Sequence, residues 1–290
     1  MKVGLIGAGL MGGGLARLFV KAGWDVAVFD PDRAALDRLD AQLPGLFVTQ
    51  SLAQGVAHAD LVIESAPEKP ALKQSIFADL AAVAGPDTIL ATNSSVIPVG
   101  VVTERLSDRD ARRAIGLHFW NPPDIIPLVE VIRGPRSGDA ALRIALGWMR
   151  DIGKDAVPVD KDSVPGNRMQ AALWREAIAL VEEGVCTPED VDIIVKRSFG
   201  LRLSAVGPLE NLDLIGLDLA ADIHRVVLPT LSRATEPSRE LTERISRGET
   251  GGKAGNGFYR GWTAEKLAAL RARLAAHVQS LLTSSTSDSV

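Results

Sequence analysis

Three glycines near the start of the chain constrain its fold more than any other feature. Gly7, Gly9 and Gly12 have the spacing G-x-G-x-x-G, after a short apolar run and before an apolar helical pattern. In a strand–turn–helix unit the first glycine permits the tight turn, the second lets the backbone approach a pyrophosphate, and the third lets the helix pack on the strand. The helix N-terminus adds unpaired N–H groups. We therefore predict a dinucleotide-binding unit, with Leu10 and Met11 beside the cofactor in the first helical turn.

Asp30 is the next candidate for a cofactor contact, because it ends the second predicted strand 18 residues beyond Gly12. A carboxylate at this place accepts hydrogen bonds from the adenine ribose and repels a 2′-phosphate, which favours NAD over NADP. Arg33 lies nearby and weakens this preference slightly. A purely structural alternative is that Asp30 caps the helix that opens at Pro31. We predict NAD as the cofactor.

Short apolar strands alternate with helical patterns through the first half of the chain, which predicts right-handed βαβ units and a doubly wound, mostly parallel sheet. The predicted strands are 2–7, 25–30, 46–48, 61–64, 88–92, 114–117, 127–132 and 156–159, and the predicted helices are 10–22, 31–41, 70–84 and 139–151.

The pattern becomes helical after about residue 161, from 166 to about 245 and again from 264 to 282. Thr187 is expected to cap a helix that begins with Pro188. We therefore expect an α/β fold with a Rossmann-like domain over residues 1–160 and an all-α domain over 161–290. The final segment, 283–290, is expected to be disordered.

Composition and charge exclude several classes of function. The formal net charge of −4 gives no basic surface for nucleic acid or anionic membrane. No apolar run approaches the roughly 18 residues that a membrane span needs. Cys186 is the one cysteine, which excludes an internal disulfide and fits a reducing cytoplasm. We expect a cytoplasmic protein that binds neither nucleic acid nor membrane, and we predict no metal site.

Glu130 is the first candidate for chemistry, because it interrupts the apolar strand PLVEVI. A buried carboxylate needs a hydrogen-bond or ion-pair partner. His118 ends the preceding strand, and the turn that follows it can bring the two strand ends together. An imidazole held by a carboxylate has a fixed tautomer and a raised basicity, which suits a general base acting on an alcohol. From spacing alone, a structural histidine and a solvent-facing glutamate explain the pattern equally well.

Six segments resemble the 3-hydroxyacyl-CoA dehydrogenase family and stand in the order found in that family. The resemblance runs from the first residue to about Gly261, and its most specific part is HFWNPP followed by LVEVI. The six segments are ATNSSV, GLHFWNPP, PLVEVI, VPGNRMQAALWREAI, VGPLENLDLIGLD and GKAGNGFYRG. The resemblance implies NAD-dependent oxidation of a 3-hydroxy group to a 3-oxo group.

The resemblance also implies roles for individual residues. His118 would be the general base and Glu130 the carboxylate that orients it. Ser94, matching the first serine of the family's serine pair, would hydrogen-bond the reacting oxygen, and Asn167 would help to hold the substrate. Three further residues match positions that contact the cofactor in the family: Glu68, Lys73 and Asn93. The helical domain would bind substrate and pair with its copy in a homodimer.

One feature of the acyl-CoA members is missing from this chain. Those members usually carry a long charged helical hairpin between the second and third strands of the sheet, which helps to hold the CoA moiety. Here only 30 residues join Asp30 to Leu61, which leaves room for one helix, a short strand and a second short helix. FWNPP and IIPLVEVI also resemble branches that act on carnitine, gulonate or pyridine carboxylates. These departures favour a free or unusual 3-hydroxy acid over an acyl-CoA as the substrate, with the acyl-CoA as the alternative.

Two other functions fit parts of the sequence. Hydroxyisobutyrate and phosphogluconate dehydrogenases share the GLMG-like opening, but they use a catalytic lysine on the first long helix of their second domain. The predicted helix from 166 to 183 contains no lysine. A non-catalytic nucleotide sensor or structural protein on the same scaffold is the second alternative, since fold does not imply function. The presence of both His118 and Glu130 argues against it.

Overall fold

A computed structural model describes residues 1–285 and divides the chain into two compact units, Met1–Asn167 and the residues from Arg168 onward. The predicted boundary, after residue 160, lies seven residues before this division. None of the described helices is long and apolar enough to cross a membrane.

The first unit is built on one eight-stranded sheet with the strand order β3-β2-β1-β4-β5-β6-β7-β8. Neighbouring strands are parallel except for β6 and β7, which are antiparallel. The strands are β1 Lys2–Ile6, β2 Asp25–Phe29, β3 Phe47–Thr49, β4 Leu61–Glu64, β5 Ile89–Thr92, β6 Ala114–Phe119, β7 Leu128–Ile132 and β8 Asp155–Val159. This order confirms the predicted doubly wound sheet.

Helices cover both faces of the sheet, so that the central strands are buried on both sides. One apolar cluster joins the sheet to α1, α2 and α7 through side chains such as Phe19, Leu36 and Met149. The other cluster includes Phe77 of α4 and Val102 of α5. The helices of this unit are α1 Leu10–Lys21, α2 Arg33–Gln42, α3 Leu52–Val56, α4 Pro70–Val83, α5 Val99–Val102, α6 Asp108–Ala111 and α7 Asp139–Asp151.

Capping explains where α2 begins. The sequence predicted a start at Pro31, but the Oδ1 atom of Asp32 accepts the backbone N–H of Ala34 at 2.9 Å, so Asp32 is the N-cap and the helix begins at Arg33. Asp30 therefore does not cap this helix. The short helices α5 and α6 were not predicted, because four residues are too few to show a helical period.

From Pro165 to Ser285 the described chain is mainly helical, as predicted. Its helices are α8 Pro165–Glu182, α9 Pro188–Arg197, α10 Phe199–Arg202, α11 Pro208–Ile215, α12 Leu217–Val227, α13 Arg239–Ser246 and α14 Ala264–Ser285. Thr187 and Asp190 form a capping box at the start of α9, which confirms the predicted cap. Helix α14 continues three residues into the segment predicted to be disordered, and residues 286–290 lie outside the described part of the chain.

We expect Gly12→Ala to destabilise the first unit, because a Cβ atom at residue 12 would lie 1.8 Å from the carbonyl oxygen of Gly7. Relieving this contact requires α1 to move away from the turn, at a cost of about 2 kcal/mol or more. Gly9→Ala is the matched control, since nothing lies within 4 Å of a Cβ atom at residue 9. Urea unfolding measures both variants. Equal midpoints would contradict the close approach of helix and turn.

Candidate active site

The glycine turn joins the end of β1 to the start of α1 and leaves open space at its centre. Gly7 has a φ of +106°, which favours glycine. Gly9 is the N-cap of α1, and the space around its missing side chain is empty to 4 Å. The first amide groups of α1, including those of Leu10 and Met11, have no carbonyl partner within the helix. The turn thus has the open backbone and helix N-terminus that suit a pyrophosphate.

Asp30 lies against this turn at the end of β2. Its Oδ2 atom accepts the backbone N–H of Ala8 at 2.7 Å, and its Oδ1 atom accepts the N–H of Asp32 at 2.8 Å. The carboxylate therefore stands beside the glycine turn, where an adenine ribose is bound in dinucleotide-binding units. Arg33 forms an ion pair with Asp37, with 2.9 Å between Nε of Arg33 and Oδ1 of Asp37. This ion pair reduces the attraction that Arg33 offers to a 2′-phosphate.

His118 and Glu130 face each other directly across the antiparallel pair β6 and β7. The Nδ1 atom of His118 is 2.7 Å from the Oε2 atom of Glu130, and both side chains are about 4% exposed. Because an ionised carboxylate only accepts hydrogen bonds, Nδ1 must carry the proton. In the neutral imidazole, Nε2 is then left with its lone pair free. The structure thus places the predicted partners together.

Glu130 is kept ionised by its hydrogen bonds. Burial alone would raise the pKa of this carboxyl group, but the hydrogen bond from His118 and the backbone N–H of Gly166, 3.0 Å from Oε1, outweigh burial and hold the pKa below its usual value. Gly166 lies at the start of α8 and was not predicted as a site residue. Its amide supplies a neutral donor that stabilises the negative charge.

Ser95, and not Ser94, carries the hydroxyl beside the free nitrogen of His118. The Oγ atom of Ser95 is 3.2 Å from Nε2 of His118. Ser94 turns the other way: its Oγ atom donates to Glu68 at 2.9 Å and accepts the N–H of Ile97 at 2.8 Å. This geometry differs from the role expected for Ser94. Adjacent serines in a loop point in different directions, and sequence spacing cannot tell which one meets the imidazole.

Two predicted residues hold Ser95 in place through its backbone. Asn167 donates its side-chain N–H to the carbonyl oxygen of Ser95 at 2.8 Å. Glu68 accepts the backbone N–H of Ser95 at 2.7 Å through Oε1. Asn93 lies just before the serine pair, where its Oδ1 atom accepts the N–H of Phe119 at 2.9 Å. The structure therefore brings Glu68, Asn93 and Asn167 into contact with the segments that carry Ser95 and His118.

A buried ion pair lies next to these residues. The Nζ atom of Lys73 is 2.7 Å from Oε1 of Glu64, and the two side chains are 1% and 0% exposed. Glu64 also accepts the N–H of Ala66 at 2.6 Å and the hydroxyl of Thr92 at 2.8 Å. Lys73 lies 3.6 Å from Glu68. Lys73 is enclosed by protein and lies beside Glu68, and its expected contact with the cofactor stays a prediction.

Glu64 is the buried residue that sequence reasoning missed. It ends the apolar run LVIE and is fully enclosed, like Glu130 within PLVEVI. The same reasoning, that an acidic residue in an apolar strand needs a partner, would have found it. Among residues 1–285 no cluster of three or more His, Cys, Asp or Glu side chains has the arrangement of a metal site.

Comparison with known proteins identifies the family. Residues 2–47 and 37–163 match the NAD-binding domain of 3-hydroxyacyl-CoA dehydrogenase, and residues 165–261 match its C-terminal domain. The chain belongs to the 3-hydroxyacyl-CoA dehydrogenase family. It is therefore an NAD-dependent oxidoreductase that acts on CH–OH groups, which confirms the predicted fold, cofactor and enzyme class.

Relatives within the family differ in their substrates. A protein of Mesorhizobium japonicum, 5-formyl-3-hydroxy-2-methylpyridine 4-carboxylate 5-dehydrogenase, is 34% identical over 296 residues, covering 94% of each chain. A crystal structure of an enzyme with this activity, an NAD⁺-dependent dismutase, has a TM-score of 0.89 at 32% identity and covers 96% of each chain. A 3-hydroxyacyl-CoA dehydrogenase of Archaeoglobus fulgidus has a TM-score of 0.71 at 32% identity, covering 98% of this chain and 99% of its own.

We expect Lys73→Met to lower the free energy of unfolding by about 3–5 kcal/mol, because it leaves the buried Glu64 carboxylate without its cation. Adding Glu64→Gln removes that charge while keeping an acceptor, so the double variant should recover part of the loss. Arg33→Met is the control: it breaks an exposed ion pair and should change stability by less than about 0.5 kcal/mol. Urea unfolding measures all three variants. A single Lys73→Met variant as stable as the wild type would refute the structural role.

Proposed function

We propose that the protein oxidises the 3-hydroxy group of a small free hydroxy acid with NAD, using His118 as the general base and Glu130 to orient it. One observation carries the proposal: Glu130 is hydrogen-bonded to Nδ1 of His118, which leaves Nε2 unprotonated, with the hydroxyl group of Ser95 3.2 Å away. A general base of this kind needs an unprotonated nitrogen, a fixed tautomer and a hydroxyl group within hydrogen-bonding distance. All three are found at His118. We propose a cytoplasmic location for this activity, in keeping with the lone cysteine.

In the proposed mechanism, Nε2 of His118 takes the proton of the substrate hydroxyl group. Glu130 holds the Nδ1 proton and stabilises the imidazolium that forms, as a buried carboxylate does in other His–carboxylate pairs. NAD, when bound, supplies the acceptor for the hydride that leaves the carbinol carbon. Ser95 would hydrogen-bond the reacting oxygen, in the role that the resemblance gave to Ser94. Asn167 would fix Ser95 through its carbonyl oxygen.

The residues around the glycine turn fit NAD. The space at Gly9 and the amides of α1 would hold the pyrophosphate, and Asp30 would accept hydrogen bonds from the ribose. Glu68 and Asn93 would complete the site near the nicotinamide, with Lys73 supporting Glu68 from the interior.

Two findings support a free acid in preference to an acyl-CoA. The connection from Asp30 to Leu61 contains only α2, β3 and α3, so the helical hairpin expected of acyl-CoA members is not there. The pyridine-carboxylate enzyme also matches this chain with a higher TM-score than the acyl-CoA dehydrogenase of Archaeoglobus fulgidus, at equal identity.

A parallel screen tests the substrate class. Reduction of NAD is followed at 340 nm with 3-hydroxybutyryl-CoA, 3-hydroxybutyrate, carnitine, gulonate and a hydroxymethylpyridine carboxylate. We expect a free acid to give the highest kcat/KM. A clear preference for the acyl-CoA would overturn this part of the proposal while leaving the role of His118 intact. Binding of NADH with turnover on none of these compounds would instead favour the non-catalytic alternative.

We expect His118→Ala to lower kcat by about 10²–10⁴-fold, the usual contribution of a general base. The Kd for NADH, measured by fluorescence titration, should stay close to that of the wild type. His277→Ala is the control, since His277 lies on α14 and outside the proposed site. Near-normal turnover by His118→Ala would remove the imidazole from the mechanism.

The two serines give a second test of the site. Ser95→Ala should lower kcat by about 10-fold or more, since it removes a hydrogen bond to the reacting oxygen. Ser94→Ala should have a smaller effect, because it removes contacts to Glu68 and Ile97 and none to His118. Steady-state kinetics of the two variants measure the difference. A larger effect of Ser94→Ala would indicate that Ser94, and not Ser95, hydrogen-bonds the reacting oxygen.

We also propose that the helical unit pairs with a second copy of the chain. Among the described residues of this unit, only Val191 and Ala220 are buried hydrophobic side chains. Many large hydrophobic side chains are exposed instead, among them Leu209, Leu214 and Val226 at more than 70%. Apolar surface of this extent is typical of an interface. A homodimer would cover it.

Sedimentation velocity tests this assembly. We expect the wild type to sediment as a dimer at micromolar concentration. Leu214→Glu should shift it towards the monomer, because a charge would be buried in the interface. Exposed Arg33→Glu in the first unit is the control. A wild type that is monomeric at all concentrations would contradict the proposal.

A further inference from the structure

Lys154 is a buried side chain that the proposed mechanism does not use. It directly precedes β8 and is only 7% exposed. Its Nζ atom donates to the backbone carbonyl oxygen of Pro123 at 2.5 Å and to that of Ile126 at 2.7 Å. Burying a lysine nitrogen is costly unless its N–H groups are hydrogen-bonded. Both acceptors belong to one short backbone segment, so Lys154 restrains that segment as a unit.

This segment is the β6–β7 loop, residues 120–127, which joins the strand of His118 to the strand of Glu130. In the sheet, β4 and β5 separate β6 from β1 and its glycine turn. The loop nevertheless reaches α1: a Cβ atom at Gly14 would lie 2.6 Å from both Cγ and Cδ of Pro123, so the proline ring packs on the backbone of the helix. The loop therefore links the proposed base directly to the helix that follows the glycine turn.

An ion pair adds a weaker contact between the loop and α1. The Nε atom of Arg17 is 2.8 Å from the Oδ2 atom of Asp124, and the two side chains are 40% and 24% exposed. An ion pair this accessible to water contributes little. The bonds from Lys154 are shielded from water and come from a charged donor, so they restrain the loop more strongly than this ion pair does.

We propose that Lys154 is a positioning residue that holds the β6–β7 loop against α1 and thereby fixes the distance between His118 and the glycine turn, where NAD would bind. This role depends on the proposed functions of His118 and of the glycine turn. The proton and the hydride leave the same carbinol group, so the base and the cofactor have to be held at a defined separation. An error of about 1 Å in such a separation can cost about 10²-fold in rate.

Hydrogen exchange of the protein without cofactor tests the restraint. The backbone N–H groups of Ile125 and Ile126 donate to the carbonyl oxygen of Pro122 at 3.1 Å and 2.9 Å, which protects them from exchange. We expect Lys154→Met to speed their exchange by about fivefold or more, because the loop loses two hydrogen bonds. Lys21→Met is the matched control, since Lys21 is an exposed lysine at the end of α1. Unchanged exchange in Lys154→Met would overturn the restraint.

Steady-state kinetics test the consequence for the reaction. We expect Lys154→Met to lower kcat by about 10-fold or more. The Kd for NADH should change by less than about twofold, because the glycine turn and Asp30 are intact. A lysine that only stabilised the fold would leave the kcat of the folded enzyme unchanged, and Lys21→Met should match the wild type in both quantities. An unchanged kcat would overturn the positioning role, and a raised Kd with an unchanged kcat would make the loop a cofactor contact instead.

Gly14→Ala tests the same loop from the side of α1 and leaves Lys154 in place. Its Cβ atom would force the ring of Pro123 away from the helix, so we expect kcat to fall in this variant as well. Because both changes act through one contact, the double variant should lose less than the product of the two single effects. Effects that multiply would overturn the proposed action of Lys154 through α1. If Lys154→Met does not fold, a normal kcat in Gly14→Ala would still overturn the role of the loop.

The exchange and kinetic measurements separate this inference from the proposed function. If the wild type turns over no hydroxy acid or acyl-CoA, the proposed function fails, and hydrogen exchange still decides whether Lys154 holds the loop. If turnover by the wild type is normal and Lys154→Met matches it in both measurements, only the positioning role of Lys154 fails.

Discussion

The buried carboxylate of Glu130, in the antiparallel pair of β6 and β7, determines how the other residues of this site are arranged. Glu130 faces His118 across β6 and β7, and neither side chain is open to water. Burying this charge is costly unless every acceptor position is well used. The imidazole of His118 and the amide of Gly166 meet that need from two segments of the chain. The same contacts that stabilise the carboxylate also fix the tautomer of His118.

A second set of buried charges supports the loop that places Ser95 beside Nε2 of His118. Glu64 and Lys73 form an enclosed ion pair at the ends of β4 and α4, and Lys73 lies beside Glu68. Glu68 in turn holds both serines of the loop after β5, one by its hydroxyl and one by its amide. Removing one member of such a network would leave another member unpaired. The position of Ser95 beside Nε2 thus depends indirectly on the Glu64–Lys73 ion pair, which acts through Glu68.

The fold of the first unit could be predicted well, because patterns that extend over many residues determine it. The glycine spacing and the alternation of strands and helices predicted the doubly wound sheet, and the acidic residue in PLVEVI pointed to a partner such as His118. The sequence does not determine the direction in which a side chain points. The sequence does not indicate which of Ser94 and Ser95 places its hydroxyl group beside His118. It also does not indicate that Lys73 points inwards to Glu64. Gly166 could not be linked to Glu130 either, because its amide comes from a distant segment of the chain.

A crystal structure with bound NAD would show whether His118 lies at the reacting end of the cofactor. We expect the dinucleotide to lie over the glycine turn with its adenine ribose at Asp30. The nicotinamide should lie on the Nε2 side of His118, leaving room for a single carbinol group between ring and base, and Nδ1 should remain bonded to Glu130. A nicotinamide placed away from His118, or an imidazole turned away from Glu130 in the complex, would contradict it.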